Sequence, residues 1–262
     1  MELLNDIMST KEIILSAALP AQTKTYKPVS HQELIDLTLE SVHQSGFKLE
    51  SEKYMTMQDG EIANGRYTIS NVKDSEMQLQ IGWQNSYNKQ LTLKFAIGTQ
   101  ILICKNGMVS GDYGAFKKKH VGEIQTFAPN AITEYIKKSG DAFTKMQADR
   151  EQMKSYEINN TVRAELIGRM FIEDKFITST QLNIIKKELS NPTHDYGANG
   201  SLWELYNYVT YAMKTNTNAR NWLNIHSDAH SFFTNVANVA HKEMIVDLQF
   251  NDQLNMFENY EV

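Results

Sequence analysis

The sequence predicts an α+β fold, with a mostly antiparallel sheet and a flanking helix in the first half and helices in the second half. Through much of 47–127 apolar residues recur at every second position, which is typical of strands. After residue 129 they recur at every third or fourth position, which is typical of helices. We therefore expect a strand-rich region over 1–127, a helical region over 128–242 packed on it or forming a subdomain, and an acidic-aromatic tail over 243–262.

Five or six antiparallel strands are expected between residues 47 and 127. In the clearest of them, 77–83, apolar and polar residues alternate strictly, which predicts one face in the core and one face in water. The run 101–104 is continuously apolar and predicts a central strand buried on both faces. It should end in a turn at 105–107, because the Asn-Gly pair there favours a hairpin.

Three predicted helices begin with a capping box, in which Ser or Thr is followed three residues later by Glu or Gln. These boxes are Ser30–Glu33, Thr178–Gln181 and Ser201–Glu204. Pro129 suits the first turn of a long, charged helix that would reach about residue 153. A last helix is expected from Ser227 to about residue 241, and the apolar run 13–19 predicts a leading strand or short helix.

Composition argues against several classes of protein. The single cysteine, Cys104, rules out a disulfide framework within the chain. The sequence has no run of about 18 apolar residues, so it predicts no membrane span. Residues 1–20 lack the basic start of a signal peptide. We therefore expect a cytoplasmic protein without a membrane association.

No residue pattern points to catalysis or to a cofactor, because the glycine-rich phosphate loops and the usual hydrolase motifs are missing from the sequence. His226, Asp228 and His230 could hold a metal, but an N-cap at Ser227 would leave His226 outside the helix, so capping and packing are preferred. Cys104 with His120 as its base is a second candidate, although apolar neighbours favour a buried thiol. A hydrolase site assembled only by the fold stays open.

The net charge of −5 conceals a basic middle and an acidic end. Lysines and aromatic residues alternate through 83–120, a composition that suits phosphates and bases of single-stranded DNA. The expected phosphate contacts are Lys89, Lys94, Lys117, Lys118 and Lys119, with His120 beside them. The expected stacking residues are Tyr87, Tyr113 and Phe116. The alternative is that these lysines protect and solvate a sheet edge.

The acidic end carries Glu243, Asp247, Asp252, Glu258 and Glu261, with no Lys or Arg after Lys242. Phe250, Phe257 and Tyr260 lie between these carboxylates and are the expected partner-binding residues. The segment could dock on a partner protein, or compete with nucleic acid for the basic groove. An ordinary amphipathic last helix is the simpler alternative.

Two stretches of sequence resemble a known family. The first runs through Asn85-Ser86-Tyr87-Asn88-Lys89, Phe95-Ala96-Ile97-Gly98, Ile103-Cys104-Lys105-Asn106-Gly107-Met108-Val109, Gly111-Asp112 and Lys119-His120; the second is Leu202-Trp203-Glu204-Leu205-Tyr206-Asn207-Tyr208-Val209-Thr210. Together they resemble the phage/plasmid-like proteins of domain-of-unknown-function family 932.

The resemblance implies an origin in a phage, prophage or plasmid and implies no defined activity. A fold-level similarity to single-strand-annealing recombination proteins is suspected, which by itself establishes no function. The leading hypothesis is a phage or mobile-element protein of DNA metabolism that binds single-stranded DNA and acts in recombination or annealing. The alternative is a protein-interaction or counter-defence factor without catalytic activity. A homo-oligomer is compatible with either hypothesis.

Overall fold

The computed structural model describes residues 10–70, 74–103, 107–109, 114–215 and 223–240, with the backbone alone for 107–109. Its architecture confirms the predicted α+β class, with a sheet in the first half and helices in the second. The strands are β1 (Leu49–Met57), β2 (Ile62–Ile69), β3 (Met77–Ser86), β4 (Leu93–Ile101), β5 (Gly107–Val109) and β6 (Ala115–Lys118). All pairings are antiparallel in the order β1-β2-β3-β4-β5, and β6 pairs with the first half of β4.

Eight helices lie in the described part of the chain. Helix α1 is described over 10–16 and α8 over 223–240. The others are α2 (His31–Gln44), α3 (Ile124–Lys137), α4 (Ser139–Lys154), α5 (Asn160–Gly168), α6 (Ser179–Ser190) and α7 (Leu202–Ala212). Helix α5 continues into a π-helical turn, Arg169–Glu173, and α7 ends in a 3₁₀ turn, Met213–Thr215. No helix in the described ranges is long and apolar enough to cross a bilayer.

One face of the sheet is apolar and forms the main core with α1 to α4. Trp83 of β3 stacks on His31 of α2, and Phe95 of β4 stacks on Tyr135 of α3. The opposite face of the helical layer packs on α7, whose side chains are almost all buried. Buried apolar residues of the sheet and of the helical half belong to one cluster, so the two halves of the chain share a core.

Three predictions about the strands and helices need correction. Strand β4 ends at Ile101, and Leu102 and Ile103 form a turn in which Ile103 is 53% exposed, so 101–104 is not a central strand. Pro129 lies inside α3 instead of opening it. The long charged helix is two helices, because the chain turns at Lys138 and the buried Ser139 hydroxyl donates to the carbonyl of Ile136.

The last predicted helix also starts earlier than expected. Residues 223–226 are already helical, so Ser227 is not an N-cap and His226 lies within α8. By contrast, the capping boxes at Ser30 and Thr178 are confirmed with both of their hydrogen bonds. At Ser201 the hydroxyl accepts from the backbone of Glu204 as predicted, while the Glu204 carboxylate accepts from the backbone N–H of Gly200.

A buried ion pair joins the beginning of β3 to α4. Arg150 Nη1 lies 2.7 Å from Asp74 Oδ1, and the two side chains are 9% and 5% exposed. Gln147 and the backbone N–H groups of Glu76 and Met77 also donate to the Asp74 carboxylate. Burial by itself would raise the pKa of Asp74, but these hydrogen bonds, that of Arg150 first, hold it well below its ordinary value.

We expect Arg150→Leu to lower the free energy of unfolding by roughly 3–5 kcal/mol at pH 7, because it leaves a buried carboxylate without its cation. Since the folded-state pKa of Asp74 is depressed, the stability it contributes is present above the unfolded pKa of about 4 and is lost as pH falls below it. The loss caused by Arg150→Leu should therefore shrink toward pH 2–3 in urea melts.

Lys138→Ala is the matched control, because its ion pair with Glu134 is exposed. It should leave the free energy of unfolding nearly unchanged, because an exposed ion pair contributes little. Equal losses for the two variants would contradict the structural role given to the Asp74–Arg150 pair.

Candidate functional site

Two of the predicted lysines face each other on the sheet. Lys94 of β4 and Lys117 of β6 are direct cross-strand partners and therefore lie on the same face. This face is opposite to the one that packs on α2, α3 and α4. We call it the cationic face.

The neighbouring residues of β6 point the other way. Phe116 is opposite Phe95 and packs among Phe95, Phe127 and Tyr135 in the core. The Lys118 ammonium lies 3.7 Å from the ring centroid of Phe127, on the helical side of the sheet. The side chains of Phe116 and Lys118 therefore point away from that of Lys94.

Lys89 and Lys119 are exposed and lie away from the strand pairings. Lys89 occupies the β3–β4 turn with a φ of 65°, and its ammonium is 4.8 Å from the ring centroid of Tyr26. Lys119 directly follows β6. Tyr113, Cys104 and the partner-binding residues Phe250, Phe257 and Tyr260 lie outside the described residues.

Two further cations on the cationic face were not identified from the sequence. Lys53 of β1 and Arg66 of β2 are direct cross-strand partners on the same side as Lys94. The hairpin signal Asp59-Gly60 could have revealed them, because a turn centred there fixes the β1–β2 register and places residue 53 opposite 66. Burial lowers the pKa of the Arg66 guanidinium to about 10, so it remains a cation at neutral pH.

The rest of the cationic face is built mostly from amides, hydroxyls and small residues, with Met55, Met57 and Ile62 toward the β1–β2 turn. Two cross-strand rows show the pattern: Met55–Asn64–Gln84–Lys94–Lys117 and Lys53–Arg66–Gly82–Ala96–Ala115. No Asp or Glu occurs among the paired strand residues on this face. The bulged residue Glu50 reaches Gln78, which is four residues from the row of Arg66, or ~13 Å along the strand.

The cationic face is not the solvated surface that the alternation in β3 predicted. Asn64, Gln80 and Gln84 are buried, whereas Lys53 and Lys117 at the two sides of the face are exposed. Alternation reports which side chains share a face, but not whether another part of the protein covers it.

Lys94 connects the cationic face to α8. Its side chain is buried, and Nζ donates to Asn224 Oδ1 at 2.5 Å beside a pocket of about 240 Å³. Burial lowers the pKa of Lys94, the charge of Lys117 lowers it further, and Asp228 opposes both effects. The pocket therefore holds two cations whose mutual repulsion an anion would relieve.

Two larger clefts lie along α8 and the turns before α6. Their volumes are about 700 and 610 Å³, and Asp174, Phe176 and Asp228 line both of them. Burial raises the pKa of Asp228, which Lys94 counteracts. His230 is committed to Asp149 at 3.0 Å, and within the described residues no group of three or more His, Cys, Asp or Glu could hold a metal.

Tyr87 and His120 belong to a buried hydrogen-bond network, which we call the Asn85 network. Asn85 Nδ2 donates to Val29 O at 2.8 Å and lies 3.1 Å from His31 Nδ1, while His120 Nε2 lies 2.7 Å from Asn85 Oδ1. The Tyr87 ring stacks on His31 at 3.8 Å, and its hydroxyl accepts from the His31 backbone N–H. Because Tyr87 is also buried, its ring is not accessible to a base.

The network fixes the protonation of both histidines. His31 Nε2 is 3.0 Å from Gly60 O, a pure acceptor, so Nε2 carries the proton and Nδ1 accepts from Asn85. Burial lowers the pKa of His31 to about 4, with a further decrease from His120, although the bond to Gly60 opposes it. Burial also lowers the pKa of His120. Both rings are therefore neutral at pH 7.

We expect the Asn85 network to make stability pH-dependent. Since the folded-state pKa of His31 is depressed, the unfolded chain takes up the proton first, and stability falls as pH drops from about 6.5 to about 4. The loss attributable to His31 is about 3 kcal/mol. His31→Gln should flatten this part of the profile in denaturant melts, whereas the exposed control His43→Gln should leave it unchanged. A His31→Gln profile parallel to that of the wild type would refute the assignment.

Comparisons with known proteins identify a family but no characterised relative. The search of curated proteins and the search of solved structures both found no match. The family model described as "Domain of unknown function (DUF932)" matches residues 18–231, which include the whole sheet, the Asn85 network and the first half of α8 as described. The chain therefore belongs to the DUF932 family of domains of unknown function.

Proposed function

We propose that the chain binds single-stranded DNA through the cationic face of its sheet, as a protein of phage or mobile-element DNA metabolism. The observation that carries this proposal is the pair of like-charge ladders, Lys53 opposite Arg66 and Lys94 opposite Lys117. Like charges placed directly opposite each other destabilise a sheet. Such pairs are expected where they serve to bind an anionic ligand and not to stabilise the fold.

The chemistry around these cations suits a polynucleotide. Four cations can neutralise phosphates, and the amides of Asn64, Gln80 and Gln84 can hydrogen-bond to base edges. Gly82 lies beside Arg66 in the neighbouring strand and, having no side chain, leaves room for a close approach to the strands. The face is five strands wide, or ~20 Å.

This proposal revises the residues expected from the sequence. Lys94 and Lys117 keep their role as phosphate contacts, and Lys53 and Arg66 are added to them. Lys89 and Lys119 are exposed and are proposed as peripheral contacts, and the stacking role of Tyr113 stays a prediction. Tyr87, Phe116 and Lys118 are assigned to packing, as described above.

Annealing or recombination is the proposed biological role, because both need a protein that holds a single strand by its backbone and tolerates any sequence. The proposal involves no covalent step and uses no cofactor. A host or phage protein as partner of Phe250, Phe257 and Tyr260 remains a separate prediction, resting on the sequence alone.

Neighbouring lysines on β6 provide the sharpest test, because Lys117 and Lys118 point to opposite faces. The affinity for a labelled oligonucleotide should fall steeply with salt, as counterion release requires. Lys117→Gln should weaken binding by roughly 3–10-fold at low salt and reduce the slope of log K against log salt by about 0.7. Fluorescence anisotropy over a salt series measures both quantities.

Lys118→Gln is the matched control, with the same change of charge on the same strand. It should alter the affinity by less than about twofold, since its ammonium contacts Phe127 on the helical side. Equal effects of the two substitutions, or a wild-type affinity that does not depend on salt, would reject the cationic face as the binding site.

A further inference from the structure

We propose that residues 243–262 dock on the cationic face of their own chain and are displaced when nucleic acid binds. The displacement by nucleic acid rests on the proposed function, whereas the docking does not. Its starting point is that the middle of the cationic face is both charged and buried. Lys94 is 9% exposed and Gln84 is fully buried.

The described helices account for only part of this burial. Helices α1 to α4 contribute their buried apolar residues to the cluster on the other face of the sheet. At the β4–β6 side, Leu223 of α8 packs on Ala96 and Ala115 of the cationic face. Gln84 and Asn64 lie one and two strands further across, beyond the residues that Leu223 contacts.

Charge complementarity points to the end of the chain as the cover for this part of the face. Burying cations is costly unless anions accompany them. Residues 243–262 carry five carboxylates and no Lys or Arg, whereas the paired residues of the cationic face include four cations and no carboxylate. The same segment has Phe250, Phe257 and Tyr260, which can cover the small residue Gly82.

The segment is also long enough to reach the face. Helix α8 begins beside Lys94 and is described over 223–240, which is ~27 Å of helix. Returning along that length and crossing a sheet ~20 Å wide requires about 47 Å. The 22 residues after residue 240 can span up to about 73 Å when extended.

Docking of this kind would make the segment a competitor of nucleic acid. Both ligands would use the same cations, and the tethered segment has the advantage of a high effective concentration. A polynucleotide supplies more charges and displaces it at low salt. The exposed cations Lys53 and Lys117 would provide the first contacts, before the buried middle becomes accessible.

Zero-length carbodiimide coupling of the full-length protein tests the docking directly, because it joins only carboxylates and amines that are in contact. We expect peptide mapping to find links from carboxylates in 243–262 to Lys53, Lys94 or Lys117. Lys118, on the opposite face, and Lys137 and Lys186, on exposed helix surfaces, are internal controls that should give no such link. Raising the salt to 1 M should reduce the expected links, because screening weakens contacts between exposed charges.

An equal mixture of ¹⁵N-labelled and unlabelled protein distinguishes docking within one chain from exchange between two copies. Links confined to peptides of the same label support the proposal, and mixed-label links overturn it. It is equally overturned if the segment gives no link to the cationic face or links mainly to the control lysines.

Neutralising the segment separates this inference from the proposed function. The variant combines Glu243→Gln, Asp247→Asn, Asp252→Asn, Glu258→Gln and Glu261→Gln. It should lose the links and bind the oligonucleotide about tenfold more tightly, since a competitor is removed. If the wild type shows the links but neither protein binds the oligonucleotide, docking stands and the nucleic-acid function fails. If the wild type shows no links but binds through Lys117, the function stands and docking fails.

Discussion

The register of the antiparallel sheet is the constraint on which the rest of the structure depends. Side chains alternate between faces, so a slip of one residue would exchange the apolar and cationic faces and move Arg66 and Lys94 into the core. Two features hold the register. The β1–β2 turn uses the positive φ of Gln58, Asp59 and Gly60. Trp83 lies against Gly65, where an added Cβ would come within 2.6 Å of the ring.

Much of the architecture could be predicted from local patterns because local physics determines it. Capping at Ser30 and Thr178 involves residues three apart, and strand β3 needs only alternation. The failures have different causes. At the break after Lys137 the buried Ser139 hydroxyl donates to the carbonyl of Ile136, a local bond that the apolar spacing does not reveal. At the start of α8, Leu223 packs on Ala96 and Ala115, and this tertiary contact outweighs the local propensities.

The candidate site was predictable only in part for a similar reason. Interleaved lysines and aromatic residues are adjacent in sequence, but alternation sends Lys117 and Lys118 to opposite faces. Lys53 and Arg66 come from a distant hairpin and meet Lys94 only through the pairing of four strands. Asn85, Tyr87 and His120, which belong to the stretches that carry the family resemblance, hold β3 against α2 and the loop before α3. Some of the residues by which the sequence resembles the family therefore have a structural role.

Gly60 links two regions that are far apart in the sequence. Its carbonyl accepts from His31, and a Cβ at this position would come within 2.6 Å of the Ile13 carbonyl oxygen in α1. The hairpin tip is thus held between α1 on one side and the Asn85 network on the other. Detachment of α1 would release the tip and with it the acceptor of His31. The beginning of the chain and the buried imidazoles should consequently open as one cooperative unit, with amide protons that share one free energy of opening.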